Sequence, residues 1–378
     1  MRILVIIYEF PPLGGGGGNA AKNICEGLAR RGHEIQVLTA HMKNLPRQEN
    51  SSGIRIHRVP SLRQTPFQAG LLAMSGFVAA GLAAGLNNIR SWRPDIIHVH
   101  FAVPSGPVAW ALSKVTKTPY VLTAHLGDVP RGVPEKTDSW FRWIYPFTPK
   151  IWYDASRVIA VSEYTRQLAL QHYSVNVEVI PNGVHLEELN PGDIHAGSPP
   201  RIIFAGRFTT QKNPLQMVQS LAKLKHLDWE CVMLGDGALR NQVIKQINET
   251  GMNERFFLPG WISPEDVIQW LRKSDILFMP SLSEGLPVIG VQSLAMGLAI
   301  VASKVGGFID LVDDKENGYL IDPEEPDRYK LSLEELLLDP GLLQRFREQS
   351  REKAACFDIN HVVDSYERLF LEIVEMRS

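Results

Sequence analysis

Cysteine is scarce. The 378 residues hold three, Cys25, Cys231 and Cys356, with no Cys-x-x-Cys and no histidine pairing at zinc-ligand spacing. That excludes a disulfide framework and a structural zinc knuckle, and it fits a reducing cytoplasm. No Asp-x-Asp occurs and no carboxylate pair has metal-site spacing, so neither a metal nor a separate cofactor is expected. Charge of one sign is not in excess: the net charge of −2 argues against wholesale nucleic-acid binding. Too few apolar residues precede Glu9 for a secretory leader. One apolar run, Ala69–Leu86, is long enough to be weighed as a membrane span. Its small residues Gly70, Ser75, Gly76, Gly81 and Gly85, and the strand-like segments on either side, point instead to a close-packed helix.

What is present is an ordinary soluble composition, 44% hydrophobic and 21% charged, in a chain long enough for two domains. Short apolar runs alternate with helical patterns. Strands are expected at Arg2–Ile7, Glu34–Thr39, Ile54–Val59, Asp95–His100, Tyr120–Ala124 and Arg157–Val161, then at Arg201–Ala205, Glu230–Leu234, Arg255–Leu258, Asp275–Met279 and Ala299–Ser303. Runs apolar on both faces suit central parallel strands covered by helices. The alternation restarts near residue 200, after the loop PGDIHAGSPP, so two doubly wound α/β units joined by a linker near Pro191–Pro200 are expected. Ligand then belongs at the carboxyl ends of the strands, where the two sheets face each other. No internal repeat of 20–50 residues is present.

Charge is unevenly shared. Residues 1–182 carry 19 Lys and Arg against 11 Asp and Glu, and the remainder 20 against 30. Such asymmetry reflects either different partners for the two halves or drift in surface charge. A second unusual stretch, Trp140–Tyr153, interleaves seven aromatics with Arg142 and Lys150, a pattern for a lipid headgroup interface or for packing under a loop.

Three turns carry groups suited to one chemistry. After the first strand come Glu9-Phe10-Pro11-Pro12-Leu13 and then Gly14 to Gly18, with a helix expected from Asn19. Glycines let the backbone approach an anion and leave N–H groups at a helix start to bind it, Gly15 and Gly16 foremost; a plain flexible loop is the alternative. The dinucleotide fingerprint is excluded, because the second strand ends in Val37-Leu38-Thr39-Ala40 with no acidic residue. The second turn, Gly206-Arg207-Phe208-Thr209-Thr210-Gln211-Lys212, follows RIIFA. Arg207 offers a planar fork and Lys212 a point charge, a pair suited to a diphosphate unless the loop is simply solvated. The third, Pro280-Ser281-Leu282-Ser283-Glu284-Gly285-Leu286-Pro287, opens a helix. Glu284 would repel a phosphate but can accept hydrogen bonds from sugar hydroxyls; its other reading is a helix cap. N–H groups near Gly285 would meet the diphosphate.

Together these segments resemble glycosyltransferase family 4, retaining enzymes of the GT-B fold. The early glycine turn, PDIIHVH, YVLTAHLGD, IAVSE, VIPNGV, AGRFTTQKN, MLGDGALR, FLPGW, PSLSEGLPV, AMGLAIVAS and ENGYLIDP occur in the family's order over nearly the whole chain. The resemblance implies two Rossmann-like domains facing across a cleft: 1–190 for the acceptor and 191–357 for the nucleotide-sugar, with 358–378 a final helix (about Ile359–Met376) crossing back to the first. Arg207 and Lys212 match the diphosphate pair, and Glu284 the first of two glutamates, which contacts the donor sugar. The second glutamate, which holds the ribose, is here Gln292, implying weaker ribose binding. The usual aromatic-glycine pair is Leu286-Pro287. His125 matches a histidine reaching the donor sugar, with the following glycine one place late as Gly127. Gly235 of MLGDGALR and Trp261 after Pro259-Gly260 join the donor-binding set, and Asn182 is a further candidate. His98 and His100 are expected on opposite faces of their strand, at most one reaching ligand.

The implied reaction moves a sugar from a nucleoside diphosphate, without a metal, to a glycan or lipid-linked acceptor, as in cell-surface polysaccharide or glycolipid synthesis. Arg207, Lys212 and the N–H groups around Gly15, Gly16 and Gly285 would stabilise the departing diphosphate, while Glu284 and His125 orient the sugar. The basic first domain suggests a cytoplasmic protein lying peripherally on an anionic membrane face. The competing readings are a GT-B nucleotide-sugar epimerase, an NAD-dependent oxidoreductase and a non-catalytic sugar-nucleotide-binding module.

Overall fold

The computed structural model describes residues 1–65, 70–133 and 144–377. It divides into two compact units, Met1–Gly183 with Ile359–Ser378, and Val184–Asp358.

The first unit is built on eight strands: β1 (Arg2–Ile7), β2 (Glu34–Met42), β3 (Gln48–Ser51), β4 (Ile54–Arg63), β5 (Ile96–His100), β6 (Tyr120–Ala124), β7 (Arg157–Ala160) and β8 (Val177–Val179). Their order is β3-β4-β2-β1-β5-β6-β7-β8, parallel except for β3 on β4. Alternate residues of β1 enter different cores. Leu4 and Ile6 join Phe77, Leu112 and Trp152, whereas Ile3, Val5 and Ile7 join Ile24, Leu28 and Phe370. The second core is completed by helix Ile359–Glu375, whose Ile359, Val362, Val363, Tyr366, Phe370 and Ile373 make one apolar stripe. It lies so close to helix Gly16–Arg30 that a Cβ on Gly27 would stand 2.4 Å from Val363 Cγ2. Arg31 adds ion pairs to Asp364 and Glu367, each at 2.6 Å.

The apolar run forms helix Leu71–Trp92, long and apolar enough to cross a membrane by length and composition. Ala73, Phe77, Gly81, Gly85 and Ile89, spaced four apart, form its buried stripe. Gly85 is packed against Leu112, leaving 2.5 Å for a Cβ. Yet only 28% of its most apolar stretch is buried, and Leu71 and Leu72 lie exposed at its start. Of the aromatic stretch, 140–143 lie outside the described residues. In the rest, Trp152 is buried and stacked on Tyr173, while Phe147 and Tyr153 are exposed.

The second unit is a six-stranded parallel sheet of β9 (Arg201–Ala205), β10 (Glu230–Leu234), β11 (Phe256–Gly260), β12 (Ile276–Met279), β13 (Ala299–Ser303) and β14 (Gly318–Ile321). Its order, β11-β10-β9-β12-β13-β14, is the 3-2-1-4-5-6 winding of dinucleotide-binding folds. Strand order reverses between β9 and β12 here, and between β1 and β5 in the first unit.

The chain changes unit at Gly183–Val184 and at Asp358–Ile359, not in the Gly/Pro-rich loop at 191–200. That loop is tied down within the second unit. Gly197 N–H donates to Asp275 (2.9 Å), Gln344 to the Ile194 carbonyl (2.6 Å), and Arg347 to the His195 carbonyl (2.6 Å). Turn-forming composition signals a bend, not a boundary.

Candidate active site

In the second unit the two turns singled out above leave the sheet at its reversal point, one from β9 and one from β12. After β9, Phe208 is fully buried and its N–H donates to the Asp236 carbonyl at 2.8 Å. Gly235, at φ +129°, lies against this loop so tightly that a Cβ would stand 2.0 Å from the Gly206 carbonyl oxygen. A 3-10 turn, Thr210–Lys212, ends on left-handed Asn213 before helix Pro214–Ala222 begins. The stem of Lys212 runs back beside Gly206.

That path brings Lys212 Nζ to 2.5 Å from Glu284 Oε1, on the turn after β12. Ser281 Oγ donates to the same oxygen at 2.7 Å. Oε2 of Glu284 has no hydrogen-bond partner among the described residues. The two turns are also stitched through Gln211, which donates from Nε2 to the Ser283 carbonyl (3.0 Å) and accepts at its own carbonyl from Leu282 N–H (2.8 Å). Glu284 is 4% exposed, so the pair is held largely out of water, where loss of one partner strands the other charge. A lysine ammonium has three N–H groups, and Glu284 takes one. Lys212, expected only as a phosphate clamp, is thus also the partner of the sugar-contacting carboxylate.

A third loop supports this turn. After β13, Gly306 at φ +57° would carry its Cβ 1.7 Å from the Glu284 carbonyl oxygen, and Gly307 N–H donates to the Gly285 carbonyl at 2.5 Å. Of Gln211, Ser281, Gly306 and Gly307, only the glycine pair carries a signal in the sequence, and that is weak. Arg207 is half-buried one residue beyond Gly206. Gly285 and Gln292 are half-buried, Gln292 in the second turn of helix Val288–Ala295; Leu286 is buried, leaving its backbone as the group able to meet a ligand. Trp261 is half-exposed at the end of β11, two strands from β9.

In the first unit the glycine turn follows β1. Its helix begins at Gly16, three residues before the expected Asn19. The glycines are there for close packing, not to delay the helix: a Cβ on Gly18 would lie 2.5 Å from the Glu9 carbonyl oxygen, and one on Gly17 would lie 2.9 Å from Phe101 Cζ. The N-cap is Gly15, with no side-chain cap and no acidic residue in the first turn. The N–H groups around Gly15 and Gly16 therefore suit an anion.

His125 stands at the end of β6, 8% exposed, its backbone N–H donating to Asp128 Oδ2 at 2.8 Å. Its ring stacks on Phe101 with centroids 4.2 Å apart, and Nε2 lies 3.5 Å from His100 Nδ1. His98 and His100 correct the expectation of opposite faces. Residues two apart on a strand share a face, and their rings lie 4.2 Å apart. The chain continues from His98 Nε2 to Thr123 Oγ1 (2.9 Å) and on to the Tyr366 hydroxyl (3.0 Å). Burial lowers all three histidines, His98 to about 3, His125 to about 4 and His100 well below its ordinary range. Burial pushes Asp128 up to about 7 against the N–H groups it accepts from His125, Val103 and Ala102. Asn182 is buried, and Gly127 meets no steric demand. Among the described residues no group of three His, Cys, Asp or Glu side chains could hold a metal ion.

Two Rossmann-like units, each with its candidate groups at the strand-order reversal, define the GT-B class. Sucrose-phosphate synthase from Thermosynechococcus elongatus has the same fold, with a TM-score of 0.87 and 20% identity over all of both chains. HepE of Anabaena, solved with UDP-glucose, aligns at a TM-score of 0.75 and 16% identity over 98% of this chain and all of that one. In sequence, an uncharacterised glycosyltransferase of Methanocaldococcus jannaschii is 26% identical over 369 residues, 92% of this chain and 91% of that one. Residues 14–188 match the model for Glycosyltransferase Family 4 and residues 188–353 that for glycosyl transferases group 1. The chain belongs to this glycosyltransferase family.

Proposed function

We propose that the enzyme transfers a glycosyl group from a nucleoside diphosphate sugar to a hydroxyl, with retention at the anomeric carbon and without a metal. The observation that carries this reading is the Lys212–Glu284 pair at the reversal point of the second sheet. It joins a cation suited to the diphosphate with a carboxylate whose Oε2 can accept from sugar hydroxyls. The UDP-glucose bound by HepE, a protein of the same fold, supports a nucleotide-sugar donor.

In this reading Arg207 and Lys212 neutralise the diphosphate as the anomeric C–O bond breaks, the task a divalent cation would otherwise serve. N–H groups around Gly285 add donors, and Glu284 orients the sugar. The acceptor oxygen forms its bond on the face the diphosphate leaves, and the acceptor's proton passes to the departing diphosphate. Incubation with a panel of UDP-, GDP- and ADP-sugars and candidate acceptors tests the scheme. Release of nucleoside diphosphate with an α-linked product from an α-donor, undiminished by EDTA, is expected. An epimerised donor, an inverted product, or no turnover with any donor would overturn it.

The acceptor is a lipid-linked or otherwise anionic-membrane-borne glycan, used at the cytoplasmic face. Helices Leu71–Trp92, Ser105–Thr116 and Pro149–Tyr153 pack on one side of the first sheet. Their outer surface exposes Leu71, Leu72, Val115 and Tyr153, and they carry Arg90, Lys114 and Lys150. Exposed apolar groups among cations suit an anionic lipid surface. Flotation with vesicles containing anionic lipid should carry the protein upward at low salt and release it at high salt; no salt-sensitive binding would remove this part of the reading.

A further inference from the structure

Glu284 lies in the turn that opens helix Val288–Ala295, yet it does not cap that helix: the N-cap is Pro287, and no side chain bonds to the first turn. The backbone around Glu284 is held from two sides. Gln211 accepts the Leu282 N–H and donates to the Ser283 carbonyl, while Gly307 N–H donates to the Gly285 carbonyl. What remains free is the side chain, whose torsions decide where the carboxylate points. Two donors fix them by meeting on one oxygen: Lys212 Nζ at 2.5 Å and Ser281 Oγ at 2.7 Å, both on Oε1. A carboxylate oxygen has about two acceptor positions, so Oε1 is filled and Oε2 is the oxygen left for a ligand.

The two donors are not equivalent. Lys212 reaches Oε1 from the neighbouring turn on a flexible stem. In the proposed reaction it also serves the diphosphate, and a diphosphate beside it competes with Oε1 for the same ammonium. Ser281 is fully buried, lies three residues before Glu284 on the same turn, and carries its hydroxyl on a single rotatable bond. We infer that Ser281 is a positioning residue: it keeps Oε1 anchored when the diphosphate takes up Lys212, so that Oε2 stays aimed at the sugar while the anomeric bond breaks. Its effect on the reaction passes through Glu284. The inference rests on the reading that Glu284 serves the donor sugar and Lys212 the diphosphate.

The test uses the full-length protein and whichever of UDP-, GDP- and ADP-glucose the native enzyme turns over fastest. Ser281→Ala should lower kcat about tenfold, the value of one hydrogen bond to a charged group, while calorimetry finds the matching nucleoside diphosphate bound within about twofold of the native affinity. Ser281→Thr keeps the hydroxyl and should recover most of kcat. Crystals soaked in inorganic pyrophosphate, which offers Lys212 the anion without a sugar, read the cause: the Glu284 carboxylate should keep its native place in the Thr variant and leave it in the Ala variant. Native kcat in the Ala variant would overturn the inference, as would an unmoved carboxylate there, or an equal loss of kcat and nucleotide affinity of the kind a merely structural serine gives. Should the Ala variant not fold, Ser281→Cys, which keeps the volume but only a weak donor, takes its place with the same expectations. Pyrophosphate absent from Lys212 even in native crystals would overturn this inference and the proposed function together. A native protein that transfers no sugar, with pyrophosphate on Lys212 and the Ala carboxylate displaced, would tell against the proposed function and leave the positioning role standing.

Discussion

Lys212 Nζ and Glu284 Oε1 lie 2.5 Å apart, joining the turns after β9 and β12 through side chains 72 positions apart in sequence. Because the pair is largely buried, stability and activity should respond differently to its removal. Glu284→Ala or Lys212→Met alone should each destabilise by about 3–5 kcal/mol, since each strands a charge. The double variant should regain most of that stability in urea unfolding and none of the activity. Undiminished turnover in folded Glu284→Ala protein would mean that the sugar contact is misassigned.

Gln292 stands where the family's ribose-binding glutamate is expected. Gln292→Glu should tighten binding of the cognate nucleoside diphosphate by roughly tenfold, the value of one charge-assisted hydrogen bond over a neutral one. Calorimetry checks it. An unchanged affinity would show that the ribose does not meet this residue.

Gly306 leaves no room for a side chain beside the Glu284 carbonyl and holds a positive φ. Gly306→Ala should therefore displace the Glu284 turn, lowering kcat/KM by at least about tenfold while circular dichroism still reports a folded chain. Normal kinetics in that variant would mean that the turn's exact position does not matter to the reaction.

Acid stability follows from the buried histidines. Each has a folded pKa below its unfolded value near 6.5, so its contribution is present above pH 6.5 and is lost as pH falls toward the folded values of about 4 for His125 and about 3 for His98. Asp128 runs the other way: its folded value of about 7 means stability lost as pH rises from its unfolded value toward 7. Between pH 4 and 6.5 these four groups together thus bind about two more protons in the unfolded chain than in the native one, a rise of roughly 2.7 kcal/mol per pH unit from them. Denaturant titrations of the native protein and of His98→Phe should differ by one proton in this slope. Parallel slopes would show that His98 is not buried as a neutral ring.

Much of this architecture is readable in the chain. Arg2–Ile7, Tyr120–Ala124, Arg201–Ala205, Glu230–Leu234 and Ala299–Ser303 form strands with the bounds expected, because each is a continuous apolar run ended by a turn. Gln48–Ser51, Val177–Val179 and Gly318–Ile321 escape notice: the first is polar, the others are three and four residues long, and pairing with a neighbour defines them. Helix propensity argues against starting a helix at Gly16, but the approach of Phe101 and the Glu9 carbonyl leaves room for nothing larger at 17 and 18. Each end of the Lys212–Glu284 pair lies in a turn with its own sequence signal, yet no local pattern reveals that they touch. The second unit's boundary was hidden for a similar reason, since the contacts that fasten 191–200 come from Asp275, Gln344 and Arg347, far along the chain.

The second unit is threaded into the first as an insert, and its two ends meet: Val184 N–H donates to the Phe357 carbonyl at 3.0 Å, and Val184 bridges Asp358. During synthesis the insert is therefore complete once residue 358 has emerged, whereas the opening unit must wait for the last twenty residues to cover Ile24, Leu28 and Val5. A ribosome stalled before them would hold a half-open apolar surface, the natural target of a chaperone. Conversely, because Gly183 already abuts Ile359, a chain spliced directly from one to the other has the parts to fold as the smaller unit alone.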